Sequence, residues 1–192
     1  MTATIIIPVK PFDEGKARLA STLTPDQREK LSRDFFRHVL GQATDAALKT
    51  DVLVVSRCER ALGMAQQAGA GSLIEQGRDQ NEALVQAMRQ VEGPVLLLSS
   101  DLPFLTSEDI RAMLGLAKKA DVGIATDQRK TGTNALFLSR PCLIQPRFGP
   151  DSRALHAGEA EKAGLRWAVI DRPGLALDVD QPEDLHFLRD RS

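Results

Sequence analysis

A run of β-branched residues at the start of the chain empties into a loop rich in cations: Ile5-Ile6-Ile7-Pro8-Val9-Lys10-Pro11-Phe12-Asp13-Glu14-Gly15-Lys16-Ala17-Arg18-Leu19. Lys10, Lys16 and Arg18 fall within nine residues of one another. They follow the strand at the place where open α/β sheets bind ligands, the carboxyl end. Such a loop is suited to cradling a polyphosphate; an ordinary strand-to-helix connection with solvated lysines is the plainer alternative. Carboxylates stand in the matching position elsewhere. Val95-Leu96-Leu97-Leu98-Ser99-Ser100-Asp101 is a buried strand with an acid just past its end, where burial is costly unless the charge is paired or holds a metal. In Leu177-Asp178-Val179-Asp180, two acids alternate around an apolar residue, so in extended chain both face the same way. Three such aspartates meeting in space would make a hard oxygen site for Mg²⁺. The bland readings are a turn residue ahead of Pro103 and a helix cap before Pro182.

The elements that must position these groups read as α/β. Strand-like runs occur at 4–9, 52–56, 72–75, 95–99, 122–126, 135–138 and 167–170, mostly short and continuously apolar, as expected of strands covered on both faces. Helical patterns separate the early ones. Thr24-Pro25-Asp26-Gln27 carries an N-cap, a proline in the first turn and a capping-box glutamine, and Leu31, Phe35, Phe36, Val39 and Leu40 then share a face. A second helix is expected over 80–91 and a third from Thr106, with Ile110, Met113 and Leu114 in its stripe. Strands alternating with helices point to a mostly parallel sheet in one domain over 1–192. The stretch 128–152, punctuated by Gly132, Pro141, Pro146, Gly149 and Pro150, reads as a long functional loop, a substrate-binding flap beside the sheet edge.

Composition excludes several classes. The 192 residues carry a formal net charge of −1, which argues against a nucleic-acid partner. Cys58 and Cys142 lack metal-ligand spacing and the density of a secreted scaffold. No apolar run reaches the ~20 residues of a bilayer span, and the first strand starts too early for a signal peptide. A cytoplasmic protein without membrane partners is expected. His38, His156 and His186 have no ligand-spaced neighbour and are assigned no chemistry; Trp167 is expected to pack.

The segments IPVKPFDEGKARL, SSDLPFL, TGTNALFL, RFGPDS and DVDQPEDL, in this order over nearly the whole chain, resemble the 2-phospho-L-lactate guanylyltransferase family of coenzyme F420 biosynthesis, which includes bacterial phosphoenolpyruvate guanylyltransferases. The opening proline-lysine motif is the specific part, because the wider nucleotidyltransferase superfamily has a Gly-rich loop there.

The resemblance implies a single-domain, Rossmann-like nucleotidyltransferase fold with a mostly parallel mixed sheet. It also implies transfer from GTP to a small phosphorylated carboxylic acid with release of pyrophosphate, the product passing to a downstream F420 transferase. On this reading Lys16, Arg18 and Asp101 are catalytic, and Pro8, Lys10, Gly15, Lys16, Gly77 and Asn81 bind the nucleotide. Asp101, Asp178 and Asp180 would hold Mg²⁺, and Thr133, Gly149 and Ser152 the acceptor. Ser152 would present backbone N–H groups to a carboxylate at a helix start, beside Arg147 and Arg153. Gln80 departs from the leucine that the family usually has before Asn81; Asn81 as a helix cap is the competing reading. The rivals are a nucleotidyltransferase for another acceptor, such as the molybdenum cofactor or a sugar phosphate, and a non-catalytic nucleotide-binding module.

Overall fold

The computed structural model describes residues 2–46 and 50–189. Seven strands form one sheet: β1 (Ala3–Val9), β2 (Thr50–Ser56), β3 (Gly71–Ile74), β4 (Val95–Leu98), β5 (Val122–Thr126), β6 (Thr133–Leu138) and β7 (Trp167–Ile170). Their order across the sheet is β3-β2-β1-β4-β6-β5-β7. All pairings are parallel except the two that β6 makes, with β4 and with β5. The continuous apolar runs are explained by covering on both faces. Ile5, Ile7, Val9, Leu96 and Leu98 enter one core cluster, while Ile6, Val95 and Leu97 enter another. The alternation of side chains along a strand sends successive residues to opposite cores.

The first core is closed by α1 (Pro25–Ala46), α2 (Glu59–Gln67) and α4 (Ser107–Leu114) through Phe36, Val39, Leu40, Ala61, Ala65, Ile110 and Met113. The second is closed by α3 (Gln80–Met88) and α5 (Ser152–Lys162) through Ala83, Leu84, Ala87, Met88 and Ala160. The expected capping box of α1 is present: Thr24 N–H donates to Gln27 Oε1 at 2.8 Å, and Gln27 N–H to Thr24 Oγ1 at 3.3 Å. Trp167 packs against the second core. The chain ends, within the described residues, in the short helices α6 (Pro173–Ala176) and α7 (His186–Arg189), the second preceded by a 3₁₀ turn at Pro182–Leu185. No described helix is long and apolar enough to cross a membrane.

Three features differ from the sequence expectation. Helix α2 is additional to the helices expected from periodicity, and α5 opens at Ser152, the helix start that the resemblance implies; neither is announced by a capping side chain, since Cys58 and Asp151 precede them without a side-chain cap bond. The helix expected over 80–91 stops at Met88. The stretch 128–152 holds the whole of β6, and after it Ile144 is buried while Leu143 and Phe148 pack on the second core. It is a fastened segment rather than a flap.

Because β6 runs antiparallel, its first residues lie at the carboxyl end of β4, with Ala135 opposite Leu98 and Ser99 N–H donating to Asn134 O at 2.9 Å. The loop after β1, the turn after β4, the start of β6 and the chain after β7 thus share one edge.

Candidate functional site

The loop after β1 is anchored on both sides of its central lysine. Phe12 is buried and meets the Phe36 ring at 6.0 Å, and Leu19 is fully buried. Between them a Cβ on Gly15 would stand 2.4 Å from Ser32 Oγ, so glycine leaves the Ser32 hydroxyl its place where the loop lies against α1. Lys16 takes left-handed backbone angles (φ 56°, ψ 34°), uncommon for a side-chain-bearing residue and often found where a site dictates the geometry. Its side chain turns inward and is 5% exposed. The ammonium donates to Asp101 Oδ2 at 2.6 Å and to Asp180 Oδ1 at 2.9 Å, and sits 5.8 Å from the Phe35 ring centre. Burial opposes the charge, but the two carboxylates outweigh it and hold the lysine pKa above its ordinary range. With two of three N–H donors engaged, one is left for a phosphate oxygen. Arg18 is more exposed, its Nη1 3.7 Å from Asp180 Oδ2. Lys10 is exposed and acts on Glu75 past the end of β3, and Pro8 lies within β1 opposite Val55.

The acids are delivered by separate supports. Asp101 follows β4, whereas Asp178 and Asp180 follow α6. Asn134, buried at the start of β6, donates from Nδ2 to Leu175 O at 2.9 Å and holds that segment down. Asp184 Oδ2 accepts from the N–H groups of Asp180 (3.0 Å) and Gln181 (2.7 Å), and Arg129 Nη2 donates to its other oxygen at 3.3 Å. Asp178 is pushed up to about 6 by burial and by the charges of Asp101 and Asp180. Burial opposes ionisation of Asp180 as well, yet Lys16 holds its pKa below the usual carboxylate value. Among the described residues, no trio of His, Cys, Asp or Glu forms a ready-made metal cage. What Asp101 and Asp180 share here is the ammonium of Lys16. The donor chemistry still fits Mg²⁺: three hard oxygen-bearing groups, one of them raised by its neighbours, and an ion that usually keeps waters and substrate phosphates in its shell.

On the other side of β1, Asp79 caps α3 by accepting from Asn81 N–H (2.9 Å) and Glu82 N–H (3.0 Å). The cap is therefore Asp79, and the reading of Asn81 as the cap is corrected. A Cβ on Gly77 would stand 2.8 Å from Glu82 Cβ, so glycine lets this loop approach α3. The Asn81 carboxamide makes two bonds to one distant residue: Nδ2 donates to Phe148 O at 3.1 Å, and Oδ1 accepts from Phe148 N–H at 2.8 Å. It ties the 75–81 loop to the 146–149 segment and keeps one donor and one lone pair for a ligand.

In that segment Gly149 has φ +132°, a glycine conformation, with open space where a side chain would project. Ser152 is buried at the start of α5. Its N–H donates to Gly149 O at 3.2 Å, and Arg153 N–H to Thr131 O at 3.1 Å. The expectation that the backbone at Ser152 presents free N–H groups is corrected: the Ser152 N–H is consumed by the turn and that of the next residue by Thr131. Arg153 also donates from Nη1 to Lys130 O at 3.3 Å.

Thr133 is buried and lies 3.0 Å from His156 Nδ1, while His156 Nε2 accepts from Arg147 N–H at 2.8 Å. His156 is fully buried, edge-on to the Phe148 ring at 5.1 Å, and its pKa is lowered to about 4 by burial and by Arg147. Sequence reasoning passed over His156, Asn134 and Arg129. A lone histidine in a polar stretch carries no signal until its partners, 23 and 9 positions away, are folded against it.

The arrangement can neutralise a triphosphate on one side and close around a compact anion on the other. Comparison with known proteins gives the family and the fold. The family described as "Guanylyl transferase CofC like" matches residues 3–188. A phosphoenolpyruvate guanylyltransferase of Sphaerobacter thermophilus is 35% identical over 98% of this chain and 93% of its own length. A 2-phospho-L-lactate guanylyltransferase of Methanothermobacter thermautotrophicus is 39% identical over 96% of this chain and 83% of its own. In fold, the chain is similar to a nucleotidyl transferase from Methanothermobacter (TM-score 0.70, 14% identity, 98% and 96% coverage). It is also similar to the 4-diphosphocytidyl-2C-methyl-D-erythritol synthase of Anaerococcus prevotii (TM-score 0.69, 8% identity, 98% and 95% coverage).

Proposed function

The chain belongs to the CofC-like guanylyl transferase family, and from that premise we propose that it joins GTP to a small phosphorylated carboxylic acid in coenzyme F420 biosynthesis. A phosphate oxygen of the acceptor attacks the α-phosphorus of GTP. The bond from that phosphorus to the β-bridging oxygen breaks, and pyrophosphate leaves. The acceptor is phosphoenolpyruvate, 2-phospho-L-lactate or 3-phosphoglycerate, and its guanylylated product goes on to the transferase that builds F420. The reaction belongs in the cytoplasm, where GTP is at hand.

The observation that carries this reading is Lys16, buried between Asp101 and Asp180 at the carboxyl edge of the sheet. Its remaining N–H donor, with Arg18 beside Asp180 and Lys10 earlier in the same loop, neutralises the triphosphate and the departing pyrophosphate, so catalysis is chiefly positioning and charge stabilisation. An acceptor phosphate is already ionised near neutral pH, so no general base is needed. Asp101, Asp178 and Asp180 would hold Mg²⁺, which when bound offsets the charge of the two phosphates brought together. Gly77 and Asn81 read guanine, and Thr133, Gly149 and Ser152 line the acceptor side.

Pyrophosphate release tests the reading. Purified protein is given GTP or ATP with each of the three acids, alone and in competition. Release with GTP and one preferred acid supports it. Equal use of ATP removes the guanylyl assignment, and no release with any acid removes the enzyme.

A further inference from the structure

His156 is the one fully buried histidine, and the proposed reaction gives it no role. Its two ring nitrogens nevertheless face two different groups of the acceptor side. The protonation of the ring follows from the partners. A backbone N–H can only donate, so Nε2, which receives Arg147 N–H, carries no proton. In the neutral ring the proton is then on Nδ1, which donates to Thr133 Oγ1. A hydroxyl has one hydrogen and two lone pairs. With a lone pair taken by Nδ1–H, the hydroxyl hydrogen of Thr133 is turned away from the histidine.

We propose that His156 is a positioning residue that makes Thr133 an obligate donor to an anionic oxygen of the acceptor, through the tautomer that Arg147 N–H imposes. The inference rests on the proposed function for the anion and for the place of Thr133 beside it, and on geometry alone for the tautomer. The same ring fastens the segment that Asn81 holds from the other end at Phe148. The acceptor side is thereby set in place before any ligand arrives, and no ordering of these groups remains to be done on binding. The low basicity of the ring agrees with it: a proton on Nε2 would face the Arg147 N–H head-on.

Two measurements test this. Ring ¹⁵N shifts of the unmodified protein should show the proton of His156 on Nδ1 and a bare Nε2; an Nε2–H tautomer or a doubly protonated ring at neutral pH overturns the proposal. This arm needs no turnover, so its result is separable from the fate of the guanylyltransferase reading. In the pyrophosphate assay with phosphoenolpyruvate, His156→Leu should raise the acceptor KM at least tenfold and leave the GTP KM within twofold. His156→Asn keeps an N–H near the Nδ1 position and should hold the acceptor KM within about threefold of the parent protein. Equal rises in both KM values, or an unchanged acceptor KM in the leucine variant, overturn it. Should the leucine variant fail to fold, Thr133→Val removes the hydroxyl at the other end of the bond and must show the same selective tenfold rise in acceptor KM, with Thr133→Ser restoring it.

Discussion

The two sides of the site are built on opposite principles. Around Lys16 the contacts are between full charges: one buried ammonium shared by Asp101 and Asp180, with Asp178 close enough to feel both acids. Around Thr133 they are between neutral groups: a neutral imidazole, a hydroxyl, a carboxamide and backbone amides. On the proposed function the charged side meets a triphosphate and exchanges partners as pyrophosphate forms, and strong but rearrangeable Coulomb contacts suit that. On the same proposal the neutral side recognises a molecule of a few atoms. Directional hydrogen bonds fix donors in space without adding a net charge that would have to be stripped from water.

The largest break in this contrast is expected at Lys16. Replacing it with methionine keeps the apolar stem and removes the charge; kcat/KM should fall about 10³-fold, ~4 kcal/mol of transition-state stabilisation. Asp101→Asn, which removes one of its partners, should also reduce turnover far more than stability. A fall in rate below about tenfold for Lys16→Met would show that the neighbouring arginine carries the phosphates instead.

Next comes pH, which separates the two sides by sign. His156 titrates near 4 when folded and at 6.5 ordinarily. Between these values the unfolded chain binds the extra proton, so stability rises with pH across this window and is lost as pH falls through it. The full effect is about 3 kcal/mol at neutral pH. Asp178, raised to about 6 from 3.8, has the opposite slope: the folded chain holds the extra proton, and stability declines as pH rises from 3.8 to 6. Urea unfolding of the parent and of His156→Leu from pH 4 to 7 isolates the histidine contribution as the difference between the curves. A flat difference would remove it.

Gly149→Val strikes the neutral side alone. The positive φ strains any other residue, and the side chain enters open space beside the acceptor segment. Acceptor KM should rise about 30-fold, ~2 kcal/mol. GTP affinity by calorimetry should stay near that of the parent, because the charged loop lies elsewhere; equal loss of both ligands would show that the segment unfolded.

The smallest effect is expected at the cap between the sides. Asp79→Ala removes the acceptor of two helix-start N–H groups and should cost about 1 kcal/mol of stability. If the 75–81 loop reads guanine, GTP over ATP preference should weaken in that variant while acceptor KM holds.

Much of this molecule was legible in its sequence because the relevant rules are local. Apolar runs such as Ile5-Ile6-Ile7 and Leu96-Leu97-Leu98 announce doubly covered strands. Thr24 and Thr106 announce helices through caps three residues long, and both boxes form. Lys16 and Asp101 stand out because charge past a strand end is hard to explain by packing, and Asp178 and Asp180 because they alternate around the apolar Val179. What the sequence could not disclose was pairing across distance. Lys16 finds acids 85 and 164 positions away, and Asn81 finds Phe148 67 positions on. No local period encodes such separations. The antiparallel insertion of β6 decided the rest: it places Thr133 and Asn134 at the edge where β4 ends. From there His156, unremarkable in the sequence, becomes buried with both nitrogens committed. The residue types were determined by the sequence; which hydrogen each of them donates was decided only when the chain closed on itself.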